Sequence, residues 1–136
     1  VRLPTEAEWE RAAQGLQARR YPWGSRWGAD RANTAEGHVL RTTPVGAYPA
    51  GASPKGIHDL SGNVWEWTAS LYRPYPYRPD DGREDPQAGG LRVVRGGSWG
   101  DPQWDARCAC RGWYLPGSFS DVLGFRVVVS LADSGF

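Results

Sequence analysis

Methionine is missing from all 136 residues, and lysine occurs once, at Lys55. With no initiator residue, the chain is expected to be a processed product, a fragment or an incompletely read sequence. No apolar run approaches the roughly 20 residues a bilayer-spanning helix needs, so a direct membrane span is not expected. An excess of either charge is also lacking: 16 basic against 15 acidic residues leave +1. The two signs are interspersed, with none of the basic stripe on which nucleic-acid binding depends, so no nucleic-acid partner is expected. Cysteine is confined to Cys108 and Cys110. One residue apart, they make no disulfide framework and leave the redox compartment open.

What is present is aromatic and turn-forming: 8 Trp, 18 Gly and 11 Pro. That mixture points to a turn-rich fold whose core and grooves are built from large aromatics rather than long helices. The length suits one domain, 1–136, or a large piece of one. At the N-terminus, Thr5 and Glu8 form a capping-box pattern, Pro4 precedes it, and Gly15 stands where a helix would stop. Trp9 and Ala13, four apart, should share the buried face of that helix. Tyr21 to Ala32 reads as ordered loop. Thr42 to Tyr48 is a short strand candidate that Pro44 would place at an edge. Val64 to Leu71 is apolar and aromatic, Arg73 to Gly90 reads as an exposed loop, and Leu91 to Arg95 as a compact strand. Gly124 to Val129 is the expected closing strand. The whole reads as an α+β domain with one helix, short antiparallel strands and long loops.

Four segments then stand in one order: R-L-P-T-E-A-E-W-E (Arg2 to Glu10), G-I-H-D-L-S-G-N-V-W-E-W (Gly56 to Trp67), V-V-R-G-G-S-W (Val93 to Trp99) and L-G-F-R-V (Leu123 to Val127). Together they resemble formylglycine-generating-enzyme-like (sulfatase-modifying-factor) domains. The resemblance implies a C-type-lectin-like fold with little regular structure, a bacterial source and, by a slight margin, an extracytoplasmic location. It also implies that the family's N-terminal portion, ahead of R-L-P-T-E, lies outside this chain.

The resemblance carries expectations about metals. A structural calcium would be held by Glu66 with the main-chain oxygens of Gly62 and Val64, hard donors suited to that ion. Asn33 would belong to a second, weaker calcium site that here lacks its downstream acidic partner. Family enzymes that make formylglycine bind Cu(I) through two thiols soon after G-G-S. Here the first of those positions is Asp101, and no thiol follows until Cys108. A carboxylate cannot replace a soft thiolate at Cu(I), so copper and formylglycine generation are not expected. Cys108 and Cys110 read as small buried residues of a strand, where i and i+2 share a face. Another branch uses iron held by three histidines, whereas this chain has only His38 and His58. Iron would therefore have to come with a domain outside the chain.

With catalytic thiols missing beside intact fold motifs, the leading expectation is a non-catalytic module that binds a protein or peptide partner. Its face would comprise Trp67, Ser98, Asp101, Trp104, Trp113 and Tyr114, rich in the residue types that dominate interfaces. Trp104, Trp113, Tyr114 and Phe119 are the candidates for exposure. Two other classes remain open: a metal-dependent oxidoreductase using iron or copper, and a subunit of a complex that covers exposed strand edges. The stretch between G-G-S-W and G-F-R also resembles the variable region of retroelement-diversified binding proteins. There Asp101, Cys110, Ser118, Phe119 and Val122 are reachable from an Asn codon by adenine changes.

Overall fold

The computed structural model describes residues 1–130. Helix α1 spans Glu6–Gln14 and starts from Thr5, whose hydroxyl accepts the Glu8 amide while the Glu8 carboxylate accepts the Thr5 amide. Arg2 adds a bidentate pair to the same Glu8 carboxylate, at 2.6 and 2.7 Å. The helix ends at Gly15, whose φ is 66°. One face of α1 is buried, through Glu6, Trp9 and Ala13. Trp9 and Ala13 join Leu60 and Cys108 in the core, with Ile57 packed against them.

Four strands form one sheet: β1 (Trp65–Leu71), β2 (Arg92–Arg95), β3 (Arg111–Tyr114) and β4 (Leu123–Phe125), in the spatial order β3-β2-β1-β4. The β1–β2 and β2–β3 pairings are antiparallel. The β1–β4 pairing is parallel, so the sheet is mixed where antiparallel pairing alone was expected. The long connection from Leu71 to Leu123 permits the crossover that a parallel neighbour requires. Beyond β4 the chain continues extended to Val128, which exchanges both backbone hydrogen bonds with Arg2 at 2.8 and 3.1 Å. The α+β, C-type-lectin-like architecture is thus present.

Two glycines of the sequence motifs are required by close approach. At Gly62 φ is +75°, and a Cβ there would lie 2.3 Å from the Asn33 carbonyl oxygen. At Gly124 a Cβ would lie 2.8 Å from Val64 Cγ2. The glycines of S-G-N-V and L-G-F-R therefore hold the start of β1 against the Asn33 loop and against β4.

Three local expectations change. Residues 42–48 are irregular, because the Asn63 side chain rather than a neighbouring strand takes the Thr43 amide, at 2.9 Å. Arg111–Tyr114 is a strand that the sequence pattern did not single out. The 73–90 loop is not wholly exposed: Arg83 is fully buried, paired with Asp81 at 2.7 Å and set 4.5 Å over the Tyr77 ring. With few aliphatic side chains available, buried arginines take over the tying of loops. Arg95 does the same beneath α1, bonding the Cys110 carbonyl at 2.7 Å and the Glu10 carboxylate.

Candidate functional site

Strand parity decides which of the expected site residues meet. In a strand, neighbouring side chains point to opposite faces. Trp67 and Tyr114 share the sheet face turned away from α1 and meet edge to face, with centroids 6.2 Å apart. Trp113 lies on the opposite face, against Tyr72 at 4.6 Å. Beside it, the Arg111 guanidinium sits between Tyr72 and Tyr75, at 4.5 and 4.4 Å. Arg111 is also locked to the buried Glu6 carboxylate, with one bond of 2.9 Å.

Ser98 and Asp101 form a different unit. One Asp101 oxygen accepts the Ser98 amide at 3.0 Å, the Ser98 hydroxyl, and Trp65 Nε1 at 2.8 Å. The Asp101 carbonyl accepts the Ala35 amide at 3.0 Å. This carboxylate closes the G-G-S-W-G-D turn and ties it to β1, so Ser98, fully buried, presents no surface to a ligand. Trp104 is exposed, at some distance in sequence from the sheet, and its carbonyl holds Arg107 at 2.7 Å. Phe119 is 93% exposed. The single face expected from the sequence is therefore divided: Trp67 stays with Tyr114 and Ser98 with Asp101, while Trp104 and Trp113 stand apart from both pairs.

Around Trp67 lies a groove of about 750 Å³, lined chiefly by Leu3, Trp67, Pro86, Ala88, Pro116 and Phe125, with Arg2 and Arg92 at its margin. Its size is that of a small-molecule or peptide site, and its lining is mainly apolar. Phe125, opposite Trp67 in the parallel register, is 68% exposed. Arg92 donates to the carbonyls of Ala69, Asp85, Pro86 and Ala88, at 2.6 to 3.4 Å, and so fixes the loop that forms one wall. Sequence reasoning missed this set. Phe125 had a signal, in the alternation of Leu123, Phe125, Val127 and Val129; Pro86 and Ala88 had none, because the Arg92 side chain rather than a pattern places them.

The residues were tested against the expected metals. Both Glu66 oxygens are engaged: Arg126 donates to each at 2.6 Å, and Trp9 Nε1 donates to one at 2.6 Å. A cation on this carboxylate would compete with the guanidinium, and Gly62 offers its carbonyl to the Val64 amide at 3.0 Å. As arranged, the Glu66 carboxylate is committed to Arg126 and Trp9. Asn33 differs. Its amide nitrogen is satisfied by the Arg41 carbonyl at 2.9 Å, while its Oδ1, fully buried, has no donor. That oxygen suits a hard cation, although no carboxylate accompanies it. Among the described residues, no group of three His, Cys, Asp or Glu side chains stands ready to hold a metal ion.

Cys108 and Cys110 lie in a turn before β3, not on a strand. Cys108 packs in the core, where burial pushes its thiol up to about 12. Cys110, 3.7 Å from an Asp105 carboxylate oxygen, is also raised, by burial first and by that charge second. In both, burial favours the protonated thiol. Of the positions reachable from an Asn codon, Asp101 has an internal structural task, while Ser118 and Phe119 lie in the loop before β4.

The model of the family described as sulfatase-modifying factor enzyme 1-like domain matches residues 1–131. Hercynine oxygenase of Mycobacterium tuberculosis is 46% identical over 85% of this chain and 29% of its own length. Inactive C-alpha-formylglycine-generating enzyme 2 of Mus musculus is 40% identical over 95% of this chain and 43% of its own. Among solved structures, Treponema denticola variable protein 1 superposes with a TM-score of 0.76 at 30% identity, covering 91% of this chain and 45% of that one. The chain thus spans less than half the length of each of these relatives.

Proposed function

We propose that this chain, which belongs to the sulfatase-modifying factor enzyme 1-like domain family, works as a non-catalytic binding module. Its ligand surface is the groove at Trp67 and Phe125, and its partner is an apolar segment of a protein or peptide. The observation that carries the reading is this open, mainly apolar groove of about 750 Å³. The likeness to a relative named as inactive supports it. For a structural calcium, the reading takes Asn33, with its undonated buried oxygen, over Glu66.

A fluorescent anilinonaphthalene-sulfonate dye tests the groove. The parent should bind one dye, and Phe125→Ser should weaken binding at least tenfold without moving the unfolding midpoint, since Phe125 is mostly exposed. Equal binding by parent and variant would overturn the reading. A second reading makes the domain part of an oxygenase, favoured by the 46% identity with hercynine oxygenase. Metal ligands would then come from polypeptide outside these 136 residues. Metal analysis separates the two, because stoichiometric iron or copper in the purified chain favours the oxygenase.

A further inference from the structure

From Arg19 to Arg31 the chain carries four arginines against one aspartate, in a protein whose total charge is only +1. The later part of that stretch folds into a small pocket of about 270 Å³, lined by Trp23, Gly24, Ser25, Arg26, Trp27 and Arg31. Aromatic packing holds its frame. Trp23 stacks on the buried Tyr21 ring with centroids 5.2 Å apart, and Trp27 leans on both, at 5.2 Å from Tyr21 and 5.7 Å from Trp23. Trp23 Nε1 donates to the Arg26 carbonyl at 2.8 Å, and Tyr21 and Gly24 exchange backbone bonds at 2.9 and 3.0 Å. Arg31 is steadied by the Ala50 carbonyl, 3.0 Å from its Nη1. A Cβ on Gly28 would lie 3.0 Å from Arg31 Cδ and 2.9 Å from Asp30 Oδ1, so a glycine there lets both side chains close over the turn.

The lining is chemically one-sided. It offers two guanidiniums and a hydroxyl between two indole rings, and no carboxylate, that of Asp30 included, lines it. Among the described residues, neither Arg26 nor Arg31 forms an ion pair. A guanidinium meets an oxyanion through two N–H groups at once, and such charge-assisted bonds are the strong ones. We infer that this pocket binds a small tetrahedral oxyanion, phosphate or sulfate, free or as the head of a small ester. Arg26 and Arg31 take its oxygens, Ser25 adds a hydroxyl bond, and the Trp23 and Trp27 rings give the organic part of an ester an apolar wall. A carboxylate is the poorer occupant, because its two oxygens fill one guanidinium fork whereas a tetrahedral anion serves both. Every lining residue lies within 23–31, and none belongs to the groove at Trp67.

The indole and backbone N–H signals of the whole chain are followed by NMR while sodium phosphate, sodium sulfate, phenyl phosphate or sodium acetate is added. Sodium chloride of equal ionic strength is the control. Phosphate and sulfate should give saturable shifts at Ser25, Arg26 and the Trp23 and Trp27 indoles, with acetate at least tenfold weaker. Arg26→Gln, at an exposed position, should weaken phosphate binding at least tenfold without moving the unfolding midpoint, since a charge-assisted pair of bonds is lost. Arg26→Lys, which keeps the charge but not the fork, should retain part of the affinity. Tighter binding of phenyl phosphate than of phosphate marks an ester as the source, and equal binding a free anion; both uphold the site. The absence of a saturable shift up to tens of millimolar phosphate overturns the inference. So do shifts matched by sodium chloride, acetate binding as tightly as phosphate, or full affinity in Arg26→Gln. None of these signals depends on dye binding at Phe125, so the two proposals fail separately.

Discussion

Glu66 shows how one side chain can be assigned a metal by its motif and an ion pair by its surroundings. Its carboxylate is 6% exposed and takes three N–H donors, two from Arg126 and one from Trp9. Removing one partner of a buried pair leaves the other charge without compensation, at a cost of about 3 kcal/mol. Asn33 carries the opposite arrangement, an amide oxygen out of water with no donor. Urea denaturation with and without calcium distinguishes the two. Glu66→Ala should lose about 3 kcal/mol in both conditions, and Asn33→Ala should lose any gain that calcium gives the parent. A calcium-dependent gain that disappears in Glu66→Ala and persists in Asn33→Ala would restore Glu66 as the ligand.

At the scale of elements, α1 is held by a local device and a tertiary one. Glu8 closes the capping box and pairs with Arg2, and the Arg2 bonds first, with the Thr5 amide behind them, lower its carboxyl to about 2 from an ordinary 4.5. A carboxyl lowered in the folded state contributes stability that is present above its unfolded value. That contribution is lost as pH falls from about 4.5 to about 2. The protection of the Glu8 and Trp9 amides, which are bound at the Thr5 cap, taken relative to their intrinsic exchange rate at each pH, should therefore fall across this window. Glu8→Gln, with no carboxylate to titrate, should show protection that does not change there; unchanging protection in the parent would contradict the assignment. The helix, its cap and its stop were legible in sequence because capping is local, fixed by residues within four positions of each other. β2 was legible as a short apolar run. β3 was not, since Arg111-Gly112-Trp113-Tyr114 lacks alternation and becomes a strand only by pairing with β2. The site was legible in residue type but not in grouping. Trp67 and Tyr114 come together through strand parity, while Ser98 is buried and Asp101 is tied to Trp65, 36 positions away in sequence.

For the molecule as a whole, the motifs of the family serve the scaffold. R-L-P-T-E caps α1, S-G-N-V brings β1 to Asn33, G-G-S-W is closed by Asp101, and L-G-F-R sends Arg126 to Glu66 while leaving Phe125 outside. None of these roles requires a thiolate. If the chain works as the binding module proposed, it should fail as a copper oxidase and still bind. The decisive measurement incubates the purified chain with Cu(I), dioxygen and a cysteine-containing peptide and follows the peptide by mass spectrometry. The peptide cysteine is predicted to remain unconverted beyond a protein-free copper control. Conversion to formylglycine above that control would contradict a non-catalytic role.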